Sequence, residues 1–475
     1  MSRYSAPGPR GVAAARVIAG FANRPLGSYR DLAAYGDIVE MPLYPGRRLF
    51  VVSRPEYAEH VLVRNQDNYV KAFTYRPLRI FLGSGLLTSE GETWRRHRRL
   101  VQPVFSRRQV LAFAPQMVGG ARRTLSHWDT LPSGIVIDVA AQLSRLTLDV
   151  VGRVLFGADL GGEAVGLGRA MTRAQRGMGL AAFLPFLWGP KASRAIVTAT
   201  RGFWGTIEAV DAPVRGVIAA RRAAGAVTEP RDLLDLLIVA RDEADGSAFT
   251  DDEIRDEVAT LMLAGHETTA VALAWSLALL SAHPYARDRL EEEVDALPAD
   301  PAVTDVDRLP WTQAVVSEAM RIYPPAWTVE RDALDDDEVD GVRIPPGSTV
   351  AVPPYLVHRH PATWPNPEGF DPRRFLPRGE RPRDEGPGRE RPGGERPGGE
   401  RPGAEAERHR YAYIPFGGGR RGCVGAGFAQ LESVLVLATL TRRYRLDLVA
   451  GGLPDPIAHV TLRPGKHLPM RLTRR

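Results

Sequence analysis

One cysteine in 475 residues, Cys423, removes several explanations at once. An internal disulfide framework, a Cys-rich zinc site and a cysteine-ligated iron–sulfur cluster all need more thiols than this chain has. Charge of one sign is lacking too. The 62 Lys and Arg face 56 Asp and Glu, and the net charge of +6 is spread along the chain. No basic stripe of the kind that tracks a phosphate backbone results, so nucleic acid is not an expected partner. The stretch Met1 to Leu26 has no long apolar run: Val12 to Phe21 is short, and Arg3, Arg10, Arg16 and Arg24 surround or interrupt it. The expectation is a cytoplasmic protein with no membrane span.

What is present is enough apolar material, 44% of the side chains, to build a large core, and global disorder is excluded. The most legible element is a long central helix over about 250–283. Thr250 and Glu253 read as a capping box, apolar residues dominate from Val258 to Leu280, and Pro284 marks the stop. Such a helix is about 50 Å long. It must cross a core or a membrane, and His266 beside Glu267 at its centre favours a core that carries a polar site. Further helices are expected around Arg95 to Arg99, Leu290 to Ala296, Trp311 to Tyr323 and Gly427 to Arg443. Strands are expected at Ile38 to Leu43, Leu49 to Ser53, Gly341 to Ile344 and Thr349 to Val352. The fold class is therefore mainly α with a small β region, in one domain over 1–475. Residues 378–408, with Glu-Arg-Pro-Gly-Gly units, read as a low-complexity loop inserted into it.

The single thiol lies in Pro415-Phe416-Gly417-Gly418-Gly419-Arg420-Arg421-Gly422-Cys423-Val424-Gly425, just ahead of a helical pattern. A glycine loop entering a helix can cradle phosphate, but no Lys-Ser/Thr pair follows these glycines. A thiolate is favoured by the helix's positive end and by Arg420 and Arg421 alongside. This segment resembles the haem-binding loop of the cytochrome P-450 family, matching every fixed position with Phe416, Gly419, Arg421, Cys423 and Gly425. The resemblance implies the cytochrome P-450 fold, of the soluble bacterial type, with Cys423 as the metal ligand of haem b. It implies further that Phe416, Gly417 and Gly425 shape the loop against the cofactor and that Arg421 meets a haem propionate.

Other segments follow in the family's order. Glu318 and Arg321, with Arg374 in Phe370-Asp371-Pro372-Arg373-Arg374-Phe375, resemble the structural ion-pair cluster. Ala264-Gly265-His266-Glu267-Thr268-Thr269 resembles the oxygen-activating motif. By that resemblance Ala264 and Gly265 make room at the cofactor, and Thr268, assisted by Glu267, relays protons. Trp94, Arg98 and Arg331 match propionate contacts. His358 and His360 form an H-x-H pair that could suggest a metal, but the family's pattern places an ordinary loop there. By family position the pocket draws on Phe73 to Leu87, Met178 to Trp188, Leu261, Ala264, Ala326 to Val329 and Val460. Phe73, Phe81, Phe183, Phe186, Trp188 and Trp327 come within its reach, so a hydrophobic substrate is expected.

The implied activity is a haem-dependent monooxygenase that inserts one atom of O2 into a hydrophobic small molecule of terpenoid, fatty acyl, polyketide or steroid type. With no flavin or iron–sulfur module visible, reducing equivalents from NAD(P)H would arrive through a separate ferredoxin and ferredoxin reductase. Arg95, Arg96 and Arg99 are one candidate docking surface. The competing readings are an atypical oxidation on the same scaffold (ring coupling, desaturation or peroxide-driven chemistry), a non-catalytic haem-binding protein, and a cysteine-nucleophile hydrolase.

Overall fold

Thr250 caps the longest helix among the described residues. Its hydroxyl accepts the Glu253 N–H at 3.3 Å while the Glu253 carboxylate accepts the Thr250 N–H at 2.8 Å, and the central helix then runs from Asp251 to Ala282. His283 leaves the helical region, and Pro284 opens the next helix, where its missing N–H costs nothing. In this computed structural model the described residues are 6–44, 46–76, 78–157, 203–376 and 408–475. The expected insertion, apart from Arg408, and the stretch Met178 to Trp188 lie outside them.

The central helix has the length and hydropathy of a membrane span, yet 83% of its most apolar window is buried within the protein. A helix apolar all round must be covered all round. Helices Val139–Phe156, Pro310–Ile322 and Ala426–Thr441 supply much of that cover and share its hydrophobic cluster. Gly265 belongs to this packing. A Cβ there would stand 3.2 Å from the Val151 side chain, so the missing methyl admits a neighbouring helix.

A five-stranded sheet stands beside the helices, in the order Ile38–Tyr44, Arg47–Val52, Thr349–Val352, Val329–Ala333, Tyr69–Lys71. Its second and third strands are parallel and the other neighbours antiparallel. A short hairpin near the C-terminus pairs Pro456–Ala458 with Leu462–Pro464. It is pinned to the core through the indoles of Trp275 and Trp327, which donate to the carbonyls of Leu462 and His459 at 2.7 and 2.8 Å. The molecule is mainly helical with small sheets, and the expected helices and strands are found with ends moved by a few residues.

Candidate active site

Between Ile254 and Leu280 every residue of the central helix is buried except Asp256, Ala264, Gly265 and Thr268. An exposed alanine in the middle of an otherwise buried stretch leaves an open stripe on this helix. Thr268 lies one turn beyond Ala264 on the same face, and its hydroxyl donates to the Ala264 carbonyl at 2.6 Å. Glu267, the next residue back, faces elsewhere. Its Oε1 accepts the Thr461 hydroxyl at 2.6 Å and the Arg463 Nε–H at 2.7 Å, with a second Arg463 N–H on the same oxygen.

The cysteine loop is closed by its own backbone. Cys423 N–H donates to the Phe416 carbonyl at 2.9 Å, and Gly417 N–H to the Ile414 carbonyl at 3.0 Å. A 3-10 turn over Gly419–Arg421 then brings the chain to helix Ala426–Thr441. The thiol is accessible, yet protein surrounds it closely enough for burial to push its pKa up. Both hold if the sulfur faces a hollow inside the protein. The Gly425 N–H and the Arg98 charge act the other way, favouring the thiolate. The expected helpers are thus reassigned. Arg420 turns outward to Asp67 at 2.9 Å, and Arg421 reaches the Ser89 carbonyl and the Glu90 carboxylate. Arg98 instead donates to the Gly422 carbonyl at 2.8 Å.

Two glycines of this loop have different reasons. At Gly419, φ is +65° and a Cβ would fall 1.9 Å from the Leu62 carbonyl oxygen; at Gly417, φ is +70° but a Cβ would meet nothing within 4 Å. Gly419→Ala must displace backbone, whereas Gly417→Ala carries only the left-handed strain of about 1–2 kcal/mol. We expect denaturant titration to show the first variant far more destabilised, and equal losses would contradict this local geometry.

Cationic groups gather above the loop. Trp94 is buried in helix Gly91–Val101, and the Arg421 guanidinium stacks 4.0 Å from its ring centroid. One turn further along that helix His97 meets Glu257 at 2.7 Å, which ties it to the central helix and orients Trp94 and Arg98. Arg331 stands directly opposite Lys71 across two antiparallel strands. Like charges so placed repel. Burial lowers the Lys71 pKa, Arg331 and Arg421 lower it further, and Glu90 opposes them. Burial likewise brings Arg421 down to about 10, with Glu90 opposing and Arg331 and Arg95 reinforcing. Two carboxylates would relieve this excess of positive charge. A flat macrocycle carrying two carboxylates would fit the groups present: an accessible sulfur that would hold its iron, an open stripe on the central helix, and Lys71, Arg331 and Arg421, which would meet the carboxylates.

Sequence reasoning missed Lys71. Nothing local marks it, because its role arises from pairing with a strand some 260 residues away. His358 was also missed, since it appeared only as part of an H-x-H pair. Its Nε2 accepts the Ile414 N–H at 2.8 Å and its Nδ1 donates to the Arg321 carbonyl at 3.2 Å, while burial lowers its pKa to about 3. This neutral imidazole splints the cysteine loop to helix Pro310–Ile322. His360 instead meets Asp37 at 3.0 Å. The Glu318, Arg321 and Arg374 cluster forms as expected, with contacts of 2.7 and 3.4 Å.

Several expected pocket residues belong to the core. Phe73, Phe81 and Trp327 are buried, the first beneath the Arg47 guanidinium at 4.6 Å. Accessible apolar positions are Leu86, Leu87, Ala264, Ala326, Val329 and Val460. Phe183, Phe186 and Trp188 lie outside the described residues. The supposed docking run is also largely committed: Arg96 pairs with Glu253 at 2.7 Å and Arg99 with Asp242 at 2.7 Å.

Comparison with known proteins agrees with this geometry. The cytochrome P450 family model matches residues 23–468. Cyclooctatin synthase from Streptomyces melanosporofaciens is 33% identical over 462 residues, covering 95% of this chain and 91% of its own. Pentalenene oxygenase from Streptomyces avermitilis is 32% identical over 455 residues, covering 95% and 93%. The crystal structure of the cytochrome P450DA heme domain superposes with a TM-score of 0.83 at 26% identity, covering 99% of this chain and 98% of that one. The chain belongs to the cytochrome P450 family, and it is a monooxygenase of that family.

Proposed function

We propose that this protein holds haem b through the Cys423 thiolate and inserts one oxygen atom from O2 into a hydrophobic small molecule. Electrons reach it from NAD(P)H through a separate ferredoxin and reductase. The observation that carries the proposal is the accessible Cys423 thiol at a helix N-terminus, deep enough to be desolvated and served by Arg98. Bound haem would supply dioxygen activation. The chain's own residues do the rest.

Trp94, Arg98, Arg331 and Arg421, with Lys71, hold the propionate edge. Phe416, Gly417 and Gly425 shape the thiolate loop, and the Gly425 N–H donates to the sulfur. Ala264 leaves the central helix open beside the reacting face. Thr268 presents a hydroxyl there and moves a proton at Oγ1, which its hydrogen bond to the Ala264 carbonyl keeps in place. Glu267 assists by exchanging that proton with the interior. Leu86, Leu87, Ala326, Val329 and Val460 exclude water and favour an apolar occupant.

Thr268→Ala tests the assignment. Positioned acid–base groups contribute about a hundredfold or more, so product formed per O2 consumed should fall at least about tenfold while haem content stays unchanged. Unaltered coupling would refute the role given to Thr268. For the substrate we propose a molecule of terpenoid, fatty acyl, polyketide or steroid type. Pentalenene is a sound first probe, because a relative is named for its oxygenation. Binding is read as a shift of the haem Soret band, then turnover with NADPH and carriers is compared with peroxide alone. Turnover with peroxide alone, and none with carriers, would select the peroxide-driven alternative.

A further inference from the structure

Glu267 was expected to work beside Thr268, yet among the described residues the two share no hydrogen bond. Consecutive helical positions point about 100° apart, and each group has a different partner. The Thr268 hydroxyl is held by its own helix, while the Glu267 carboxylate is held by the C-terminal hairpin through Thr461 and Arg463. That hairpin is firmly seated. Trp275 and Trp327 donate to its carbonyls, and Leu462 N–H donates to the Pro325 carbonyl at 3.1 Å. Glu267 is nearly inaccessible, and Arg463 keeps about a third of its side chain exposed, with 8% and 35% respectively. Other charged groups nearby are His459, which senses both Arg463 and Glu267, and His266, whose Nε2 meets the Ser144 hydroxyl at 3.0 Å.

We propose that Arg463, seconded by Thr461, is a positioning residue for proton delivery: it holds the Glu267 carboxylate on the hairpin side of the central helix, off Thr268. This rests on the proton relay assigned to Glu267 and Thr268 above. The carboxylate serves Thr268 only after its side-chain torsions turn it away from the guanidinium. The hairpin thus sets how often the relay is assembled, from a site that touches neither the thiolate loop nor the propionate cluster. Since Val460 is accessible on the same hairpin, one short segment contributes both to the pocket and to the relay.

The test uses holoenzyme and the variants Arg463→Gln, Arg463→Lys, Thr461→Val, Glu267→Gln and the double variant Arg463→Gln/Glu267→Gln. Carbon-13 labelling of glutamate allows carboxyl bands to be followed by infrared difference spectroscopy without turnover. Loss of the guanidinium leaves a buried carboxylate without counter-charge, which favours its neutral form. A protonated carboxyl band should therefore appear in Arg463→Gln, be absent from the double variant, and stay weak in Arg463→Lys. Because the carboxyl no longer has to leave the guanidinium, the rate of product formation should rise roughly threefold to tenfold in Arg463→Gln, the range that one ion pair of modest strength controls. The rise should be smaller in Thr461→Val, and the double variant should turn over no faster than Glu267→Gln. A double variant faster than Glu267→Gln, or an Arg463→Gln protein that turns over no faster than wild type, would overturn the proposal. The infrared result stands even if no substrate is turned over, so failure of this assignment is separable from failure of the monooxygenase reading.

Discussion

Cys423→Ala is expected to abolish the absorption band that reduced, carbon-monoxide-treated haem-thiolate proteins display, together with all O2-dependent turnover. The loss should be complete, because Cys423 is the chain's single thiol and no second thiolate can take its place. Stability of the protein without haem should hardly move. The side chain is accessible, so exchanging it for a methyl gives up little buried area, about 1 kcal/mol or less. The loop meanwhile keeps its closure through backbone bonds from Cys423 to Phe416 and from Gly417 to Ile414. Cys423→His separates ligation from thiolate chemistry. An imidazole can hold iron but lacks the electron-donating sulfur, so haem retention should return in part while the characteristic band does not. A wild-type-like band in Cys423→Ala would remove the foundation of the functional reading.

Arg321→Ala should be the most damaging substitution outside the haem site. Arg321 and Glu318 are completely buried, and the guanidinium spans both carboxylate oxygens at 2.7 and 2.9 Å. Its remaining N–H groups donate to the carbonyls of His358, Pro367 and Gly369 at 3.0, 2.6 and 2.9 Å. Burial pushes the Glu318 carboxyl up, and Arg321 is the largest influence holding it down. Removing one partner of such a pair costs about 3–5 kcal/mol, a large share of the 5–15 kcal/mol typical of whole proteins. Three carbonyls lose their donor besides. The His358 carbonyl is among them, and His358 carries the Ile414 N–H at the start of the cysteine loop. Damage should therefore travel to the haem site as poor haem retention. Arg321→Lys should rescue little, because one ammonium cannot span a carboxylate and three carbonyls. Arg374→Ala should be much milder, its contact with Glu318 being longer, at 3.4 Å. Urea midpoints for the three variants, with haem content per folded protein, decide the matter; an Arg321→Ala midpoint within error of wild type would contradict this reading.

How far the sequence could be read depended on how local each signal was. The central helix was legible almost to the residue, since a capping box and a proline are local devices that set their own ends. The cysteine loop was legible for the same reason: its glycines, aromatic and thiol are neighbours in sequence as well as in space. Charge partners were not. Arg420 and Arg421 flank Cys423, yet Arg98, more than 300 residues earlier, is the cation that acts on it.

Aromatic residues misled in a related way. Phe73, Phe81 and Trp327 were assigned to the pocket by position, but they are buried in the core clusters. An apolar ring satisfies a core and a cavity equally, so type alone cannot divide them. By itself, the sequence determined the fold class, the thiol and the order of the motifs, because these rest on local periodicity and on residues that are scarce or adjacent. Tertiary structure alone decided that Lys71 opposes Arg331, that His358 splints the cysteine loop, that Gly265 accommodates Val151, and that Glu267 is claimed by Arg463. Each of those facts depends on strands or helices brought together from distant parts of the chain, where pairing register and packing direction, not residue spacing, choose the partner.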